Sequence, residues 1–242
     1  MLSAVGILTK RRSDLFSQAK KLAGKSKDEE SLEQAMKVQA KVLVKGLRDK
    51  QMRWEEYERT LMDKTVVTAL AAVYMGAGES QPEAKMESAW APILGDMLPP
   101  LLKFLEETRY NIEEGNLRLG DKTVDFEETP EEDEDVQRWM DQEVPAEAIT
   151  PPVPRRMGWA GLVGRVIRYI ASPAYSFFNM GQAMVRREQG YKEMRRIDRG
   201  DGRVCVDCRG YSAQGWQPIG TLPMPGRECR CYDRCRCRIE YR

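Results

Sequence analysis

All six cysteines of the chain lie in its last 38 residues, at positions 205, 208, 229, 231, 235 and 237. Cys205 and Cys208 have Cys-x-x-Cys spacing, and a second close cluster begins after a gap of twenty residues, at Cys229. Thiolates with this spacing are typical ligands of a soft divalent metal. Because the chain contains no histidine, a four-ligand site would be all-thiolate unless a carboxylate joined it. Such a closed site has no open coordination position, which indicates a structural metal rather than a catalytic one.

Six thiols exceed the four ligands of one tetrahedral ion, so three forms of the site stay open. One zinc ion would leave two thiols spare, two ions or an iron–sulfur cluster would share sulfurs, and three disulfides would allow many pairings. We expect one structural zinc ion, because residues 199–242 hold too few aliphatic side chains for a core of their own. Residues 1–12 show no secretory signal pattern, so we expect a reducing compartment, where metal binding is favoured over disulfides.

The absence of histidine also bears on catalysis. Histidine titrates nearest to neutral pH and is the usual general acid or base, so histidine-dependent triads are excluded. The absence of histidine therefore counts against an enzyme, and any catalysis would have to use carboxylates or lysine. A carboxylate-dependent nuclease using the acidic run Glu131–Asp135 is a weak alternative, because that run lies in a proline-rich segment that cannot hold carboxylates rigidly.

Charge is distributed unevenly, although the net charge is only +1. Residues 121–147 hold 12 acidic and 2 basic side chains, whereas residues 155–242 hold 18 basic and 8 acidic ones. Five prolines lie between positions 130 and 154. Like charges repel and proline prevents regular packing, so residues 121–154 are predicted to be an acidic, proline-rich linker. It would be either a solvated spacer or an arm that reaches a neighbouring subunit.

Helical periodicity dominates residues 1–120 and predicts a mainly α protein with an elongated helical region. Residues 1–30 are weakly patterned and predict a loose arm. Residues 31–75 have the pattern of a long amphipathic helix with at most one break, and the charged content of 32% predicts a limited core. Two further helices are predicted over 82–98 and 101–114, separated by Pro99-Pro100. The apolar stripe of the long helix consists of Met36, Leu43, Leu47, Trp54, Tyr57 and Leu61.

Residues 155–198 are predicted to form basic amphipathic helices, and residues 199–242 a cysteine-rich, zinc-binding module. The longest apolar stretch, residues 157–185, contains Arg165 and Arg168, so no membrane span is expected. Other arginines of residues 155–242 could contact phosphate or an acidic partner. The alternatives are snorkelling along a surface helix or balancing the charge of a thiolate site. The candidate contacts are Arg186, Arg187, Arg195, Arg196, Arg230, Arg234 and Arg236.

Several C-terminal segments resemble the end of phage minor head proteins, the Mu F-like head-morphogenesis family of tailed bacteriophages. The similarity covers residues 157–242, about a third of the chain, and does not extend to the first 150 residues. The similar segments are Gly190–Asp198, Cys205–Cys208, Gly215–Gly220, Leu222-Pro223, Pro225-Gly226 and Cys235–Cys237, with weaker similarity at Tyr169–Ser172 and Phe178-Asn179.

The resemblance also implies a choice of zinc ligands. The family's ending has a Cys-x-x-Cys pair and a final Cys-x-x-x-Cys-x-Cys, onto which residues 231, 235 and 237 map. Cys229 has no counterpart there and is the least favoured ligand. The implied ligands are Cys205, Cys208, Cys231 and Cys235, with Cys237 as the first alternate and Cys229 as the second.

A structural, non-enzymatic role in the virion is the function that the resemblance implies. The protein would lie in the phage head near the portal, after assembly in the host cytoplasm, in several copies per particle. Its partners would be the portal and the major capsid protein, with packaged DNA as a further candidate and no membrane. Two alternatives stay open: a capsid cement or head–tail connector protein, and a zinc-ribbon nucleic-acid-binding protein.

Overall fold

A computed structural model describes residues 2–78, 83–120, 157–171, 173–201, 204–226, 229–231 and 235–242. The predicted acidic linker over 121–154 lies outside the described residues, and so does Arg234.

Helices make up most of the described chain, which confirms the mainly α class. The helices are α1 (Leu2–Lys10), α2 (Arg12–Ala23), α3 (Glu29–Arg48), α4 (Trp54–Ala77), α5 (Glu83–Glu113), α6 (Trp159–Ile170), α7 (Pro173–Glu188) and α8 (Val206–Ala213). The strands are β1 (Glu193–Ile197), β2 (Gln217–Pro218) and β3 (Arg238–Tyr241). They form one antiparallel sheet in the order β2-β1-β3.

Helix α4 lies at the centre of the helical part. It contacts α2, α3, α5, α6 and α7, and its second half is buried at almost every position. A helix that is apolar on all sides belongs to the interior of a domain. One buried cluster extends from Ala4 to Phe177, so the predicted limited core is wrong. The average composition concealed a strong concentration of apolar residues in a few helices.

The first 30 residues also correct the sequence interpretation, because they form α1 and α2 instead of a loose arm. Leu8 and Leu15 are fully buried, and Phe16 is 1% exposed. The Phe16 ring meets Tyr74 edge-on at a centroid distance of 6.4 Å and Trp90 at 5.7 Å. Each of these helices is too short for its apolar spacing to stand out in the sequence.

The long helix predicted over residues 31–75 is divided once, between α3 and α4, which confirms the expected break. Lys50 lies in this turn and has a φ of 59°. At the start of α3, Asp28 accepts a hydrogen bond from the Ser31 backbone N–H at 2.8 Å, and the Asp28 N–H donates to the Ser31 hydroxyl. This reciprocal capping box explains where α3 begins. The predicted apolar stripe is buried, with Trp54 partly buried.

Helix α5 corrects the predicted division at Pro99-Pro100. It runs from Glu83 to Glu113 with Pro92, Pro99 and Pro100 inside it. Proline removes a backbone donor and normally breaks a helix. Here Leu98 and Leu101, on either side of the prolines, are buried in the shared core. Their burial offsets the lost hydrogen bonds, so the helix continues.

Helices α6 and α7 confirm the prediction of helix after residue 155, but only as far as Glu188. Residues 193–197 form strand β1 instead, with the inner side chains Met194 and Arg196 buried. A five-residue strand with two adjacent arginines has no recognisable alternation of apolar and polar residues, which explains the wrong prediction. Among the described residues, no helix combines the length and apolar character that crossing a bilayer requires.

Helix α7 connects the helical core to the cysteine module. Its backbone touches that of α4: a Cβ atom on Gly76 would overlap the Phe178 carbonyl oxygen, and one on Gly181 would overlap that of Val73. Only glycine allows two helices to approach so closely. At the module end, the Tyr175 hydroxyl donates to the Cys237 carbonyl oxygen at 2.5 Å. The position of the sheet therefore depends on the α4–α7 contact.

Candidate metal centre

The cysteines come together from three parts of the module. Cys205 is the N-cap residue of α8 and Cys208 lies in the first turn of that helix. Cys229 and Cys231 lie in a turn, and Cys235 and Cys237 lie just before β3. All six form one buried cluster, in which no cysteine is more than 7% exposed. Because β3 pairs with β1, the last two cysteines are brought beside the inner face of β1.

The distances between sulfur atoms suit a metal site. The Cys231 Sγ lies 3.4 Å from that of Cys208, 3.4 Å from that of Cys229 and 3.5 Å from that of Cys205. The Cys208 Sγ lies 3.8 Å from that of Cys235. A tetrahedral site with zinc–sulfur bonds of about 2.3 Å has sulfur–sulfur edges of about 3.8 Å. The Sγ atoms of Cys208, Cys229, Cys231 and Cys235 all lie within 4.8 Å of one another and could hold a metal ion.

Three of the four ligands implied by the resemblance belong to this group: Cys208, Cys231 and Cys235. Cys205 does not, and Cys229 takes its place, although the family's spacing ranked Cys229 last. Cys229 and Cys231 are two residues apart in one turn, which places their sulfurs 3.4 Å from each other, and the Cys231 sulfur lies 3.4 Å from that of Cys208. The choice between Cys205 and Cys229 thus depends on how the turn folds, which the spacing alone does not show.

Arg196 is a site residue whose role the sequence analysis missed. It is 1% exposed, so it cannot contact an external phosphate, and this corrects the earlier assignment. Its Nη2 lies 3.2 Å from the Cys208 Sγ, 3.5 Å from that of Cys235 and 3.7 Å from that of Cys229. Its Nη1 donates to the Pro223 carbonyl oxygen at 3.1 Å. Recognition of β1 would have revealed the inward position, because Arg196 is two residues from the buried Met194.

Charge in the cluster shifts the pKa values of its members. A hydrogen bond from Cys208 is the largest cause that lowers the pKa of Cys235 and of Cys237 to about 3. Burial by itself would lower the pKa of Arg196, but hydrogen bonds to Cys229 and Cys237 outweigh it and raise that pKa above its ordinary value. The cluster therefore favours thiolates at Cys235 and Cys237 beside a permanent cation, whereas hydrogen bonding with Cys205 is the largest cause that raises the pKa of Cys208 and of Cys231. Deprotonated sulfur is the form that binds metal.

The remaining candidate phosphate contacts that the structure describes have partners within the chain. Arg187 donates to the Ile219 carbonyl oxygen at 2.6 Å, and the Arg186 guanidinium lies 5.3 Å from the centroid of the Tyr191 ring. Hydrogen bonds and ion pairs of this kind stabilise the module and compete with an external anion. The carboxylate partners are Glu240 for Arg195 at 2.7 Å, Asp207 for Arg230 at 3.6 Å and Asp201 for Arg236 at 2.8 Å.

Comparison of the chain with protein-family models, with curated proteins and with solved structures finds no match in any of the three. The resemblance to phage minor head proteins therefore depends on the C-terminal segments themselves.

Proposed function

We propose that the chain is a structural virion protein of a tailed phage, a minor head protein that associates with the portal or inner capsid and assists head assembly. The observation that supports this proposal is that the similar segments form one structural unit. Strand β1, within Gly190–Asp198, pairs with β2, within Gly215–Gly220. It also pairs with β3, which directly follows Cys235–Cys237. Segments far apart in sequence thus contribute to one fold, as expected for a motif of shared structural origin.

Zinc has a structural role in this proposal. Cys208, Cys229, Cys231 and Cys235 would hold it, and Arg196 would offset part of the negative charge of the thiolates. A site closed by thiolates stabilises a fold and does not expose the metal to a substrate. The apolar cluster under the sheet is small, so metal binding would supply much of the stability of the module. Its buried members among the described residues are Ala183, Met194, Ile219, Leu222 and Met224.

The proposed mechanism is adhesion by a rigid helical body. Val38 and Val42 lie one helical turn apart on α3, and both are 60% exposed. Isolated apolar side chains are common on protein surfaces, but a pair on one helix face is suited to contact with a partner subunit. In the particle, this face of α3 would lie against the portal or the major capsid protein.

The test is made on assembled particles from a producing strain. We expect the tagged full-length chain to sediment with purified heads and to cross-link to the portal or the major capsid protein. A V38E/V42E double variant should be incorporated less, without a change in Tm, whereas Gln39→Glu, on another face of α3, should be incorporated normally. Absence of the wild-type chain from heads would contradict the proposal. Digestion of the chain by protease added to intact particles would favour the cement or connector alternative.

A further inference from the structure

Two buried cysteines remain outside the four-sulfur group. Cys205 is 1% exposed and Cys237 is 3% exposed. The Cys205 Sγ lies 3.5 Å from that of Cys231, and the Cys237 thiol hydrogen-bonds with Cys208 and Cys235. Both are therefore in contact with the sulfurs that would hold a first ion. A single tetrahedral ion gives neither of them a role.

A small cavity lies beside these two cysteines. Four of its lining residues are Cys205, Cys208, Cys231 and Cys237, and Arg236 is another. Protein interiors are close-packed, so a space bounded by four thiols is an unusual feature of a folded module. Two of the four, Cys208 and Cys231, also belong to the group that could hold the first ion.

We propose that the module binds two divalent metal ions in a six-thiolate cluster in which Cys208 and Cys231 bridge the ions. The sulfurs of Cys208 and Cys231 are 3.4 Å apart, close to the edge of about 3.8 Å expected when two tetrahedral sites share it. The first ion is bound by Cys208, Cys229, Cys231 and Cys235. The second ion is bound by Cys205, Cys208, Cys231 and Cys237.

The charge balance of this cluster agrees with the surrounding side chains. Each ion is bound by donation from thiolate sulfur, no atom is oxidised or reduced, and the thiol protons pass to solvent. Two divalent ions neutralise four of the six thiolate charges. Arg196 donates to the sulfurs of Cys208 and Cys235, and Arg199 and Arg236 are among the residues that line the cavity. At least one cation thus lies beside each of the two proposed ion positions.

The metal content of the full-length chain, purified under reducing conditions, tests the proposal. Native mass spectrometry and elemental analysis should give two zinc ions per chain. A C205S/C237S double variant should hold one ion and keep its fold, because the other four sulfurs still form a complete site. The matched control is a C229S/C235S double variant, which should also hold one ion, in the second site.

Titration of the metal-free wild-type chain with cobalt(II) gives a second readout that needs no variant. We expect binding to continue to two equivalents, and the electron paramagnetic resonance signal to fall at the second equivalent, because bridging thiolates couple the two spins. Saturation at one equivalent would overturn the proposal. Purification of the wild-type protein with one zinc ion, or with disulfides and no zinc, would also overturn it. So would a C205S/C237S variant that still holds two ions. These results do not depend on whether the chain is found in phage heads.

Discussion

Arg196 reaches the cysteine sulfurs from the inner face of β1, and this position determines what its replacement would do. Its guanidinium donates toward three sulfurs and also lies 4.8 Å from the centroid of the Tyr211 ring. Hydrogen bonds to metal-bound sulfur orient the ligand and reduce its excess negative charge. Arg196 therefore favours the thiolate form of the cluster, which is the form that a metal ion would need.

Replacing Arg196 with methionine should weaken metal binding while leaving much of the buried volume filled. Loss of a residue that hydrogen-bonds to metal ligands typically costs about 10–100-fold in metal affinity, and we expect a loss in that range. Competition with a chromogenic chelator measures it. Arg238→Met is the matched control, since the Arg238 side chain is 70% exposed, and it should retain wild-type affinity. Equal affinity in the two variants would show that Arg196 has no effect on the site.

Among the secondary-structure elements, the contact between α4 and α7 has the greatest consequence for the site. Gly76 and Gly181 allow the two backbones to touch, and α7 then holds the sheet through Ala183, which packs on Met194. A shift of α7 would therefore move the module relative to the helical core.

Replacing Gly76 with alanine should lower the free energy of unfolding by about 1–3 kcal/mol, because the new Cβ atom meets a backbone carbonyl that cannot rotate away. Chemical denaturation followed by circular dichroism measures this change. Gly164→Ala on α6 is the control, since its Cβ atom would have no neighbour within 4 Å, and it should leave stability unchanged or raise it by about 0.4–1 kcal/mol. A Gly76→Ala variant as stable as Gly164→Ala would disprove the close approach.

The N-terminus of α3 predicts a dependence of stability on pH. Hydrogen bonds from the Ser31 backbone N–H and then the Ser31 hydroxyl lower the pKa of Asp28 below 3.8. A carboxyl whose pKa is lower in the folded state stabilises the fold above its unfolded pKa, and this contribution is lost as pH falls through the folded pKa. The Tm difference between wild type and Asp28→Asn should therefore be greatest above pH 3.8 and shrink below it. Thermal unfolding of both proteins over this pH range measures the difference. A Tm difference that stays constant across the range would contradict the prediction.

At the level of the whole molecule, the chain has a large helical core and a separate cysteine cluster. The helical core extends from Ala4 to Phe177 and contains no cysteine. Among the described residues, Val204 and Tyr211 are the only apolar side chains of the cysteine cluster besides the thiols. We therefore expect the stability of the helical part to be independent of metal, and that of the module to depend on it.

Removal of metal by a chelator should unfold the module and leave the helical core intact. We expect most of the far-ultraviolet helical signal to remain and the backbone amides of β1 to lose protection from hydrogen exchange, while those of α4 keep theirs. Restoring zinc should restore the protection of β1. Loss of protection throughout α4 after chelation would show that the two parts unfold together.

Local sequence patterns were sufficient for the mainly α class, the single break between α3 and α4, the apolar stripe and a C-terminal thiol cluster. Each of these depends on residues close together in the chain, whose period or spacing is visible directly. The same reasoning failed for α5. Pro99 and Pro100 locally favour the end of a helix, but burial of the neighbouring residues of α5 in the shared core outweighs this preference.

The tertiary structure alone decided which sulfurs meet and what lies beside them. Cys208 and Cys229 are separated by twenty residues, so their proximity depends on how α8 and the later turn pack. Arg196 belongs to the site because β1 pairs with β3, and this pairing places the Arg196 side chain on the inner face of the sheet. Long-range contacts of this kind carry no signal in spacing, since the chain must fold before distant side chains share an environment.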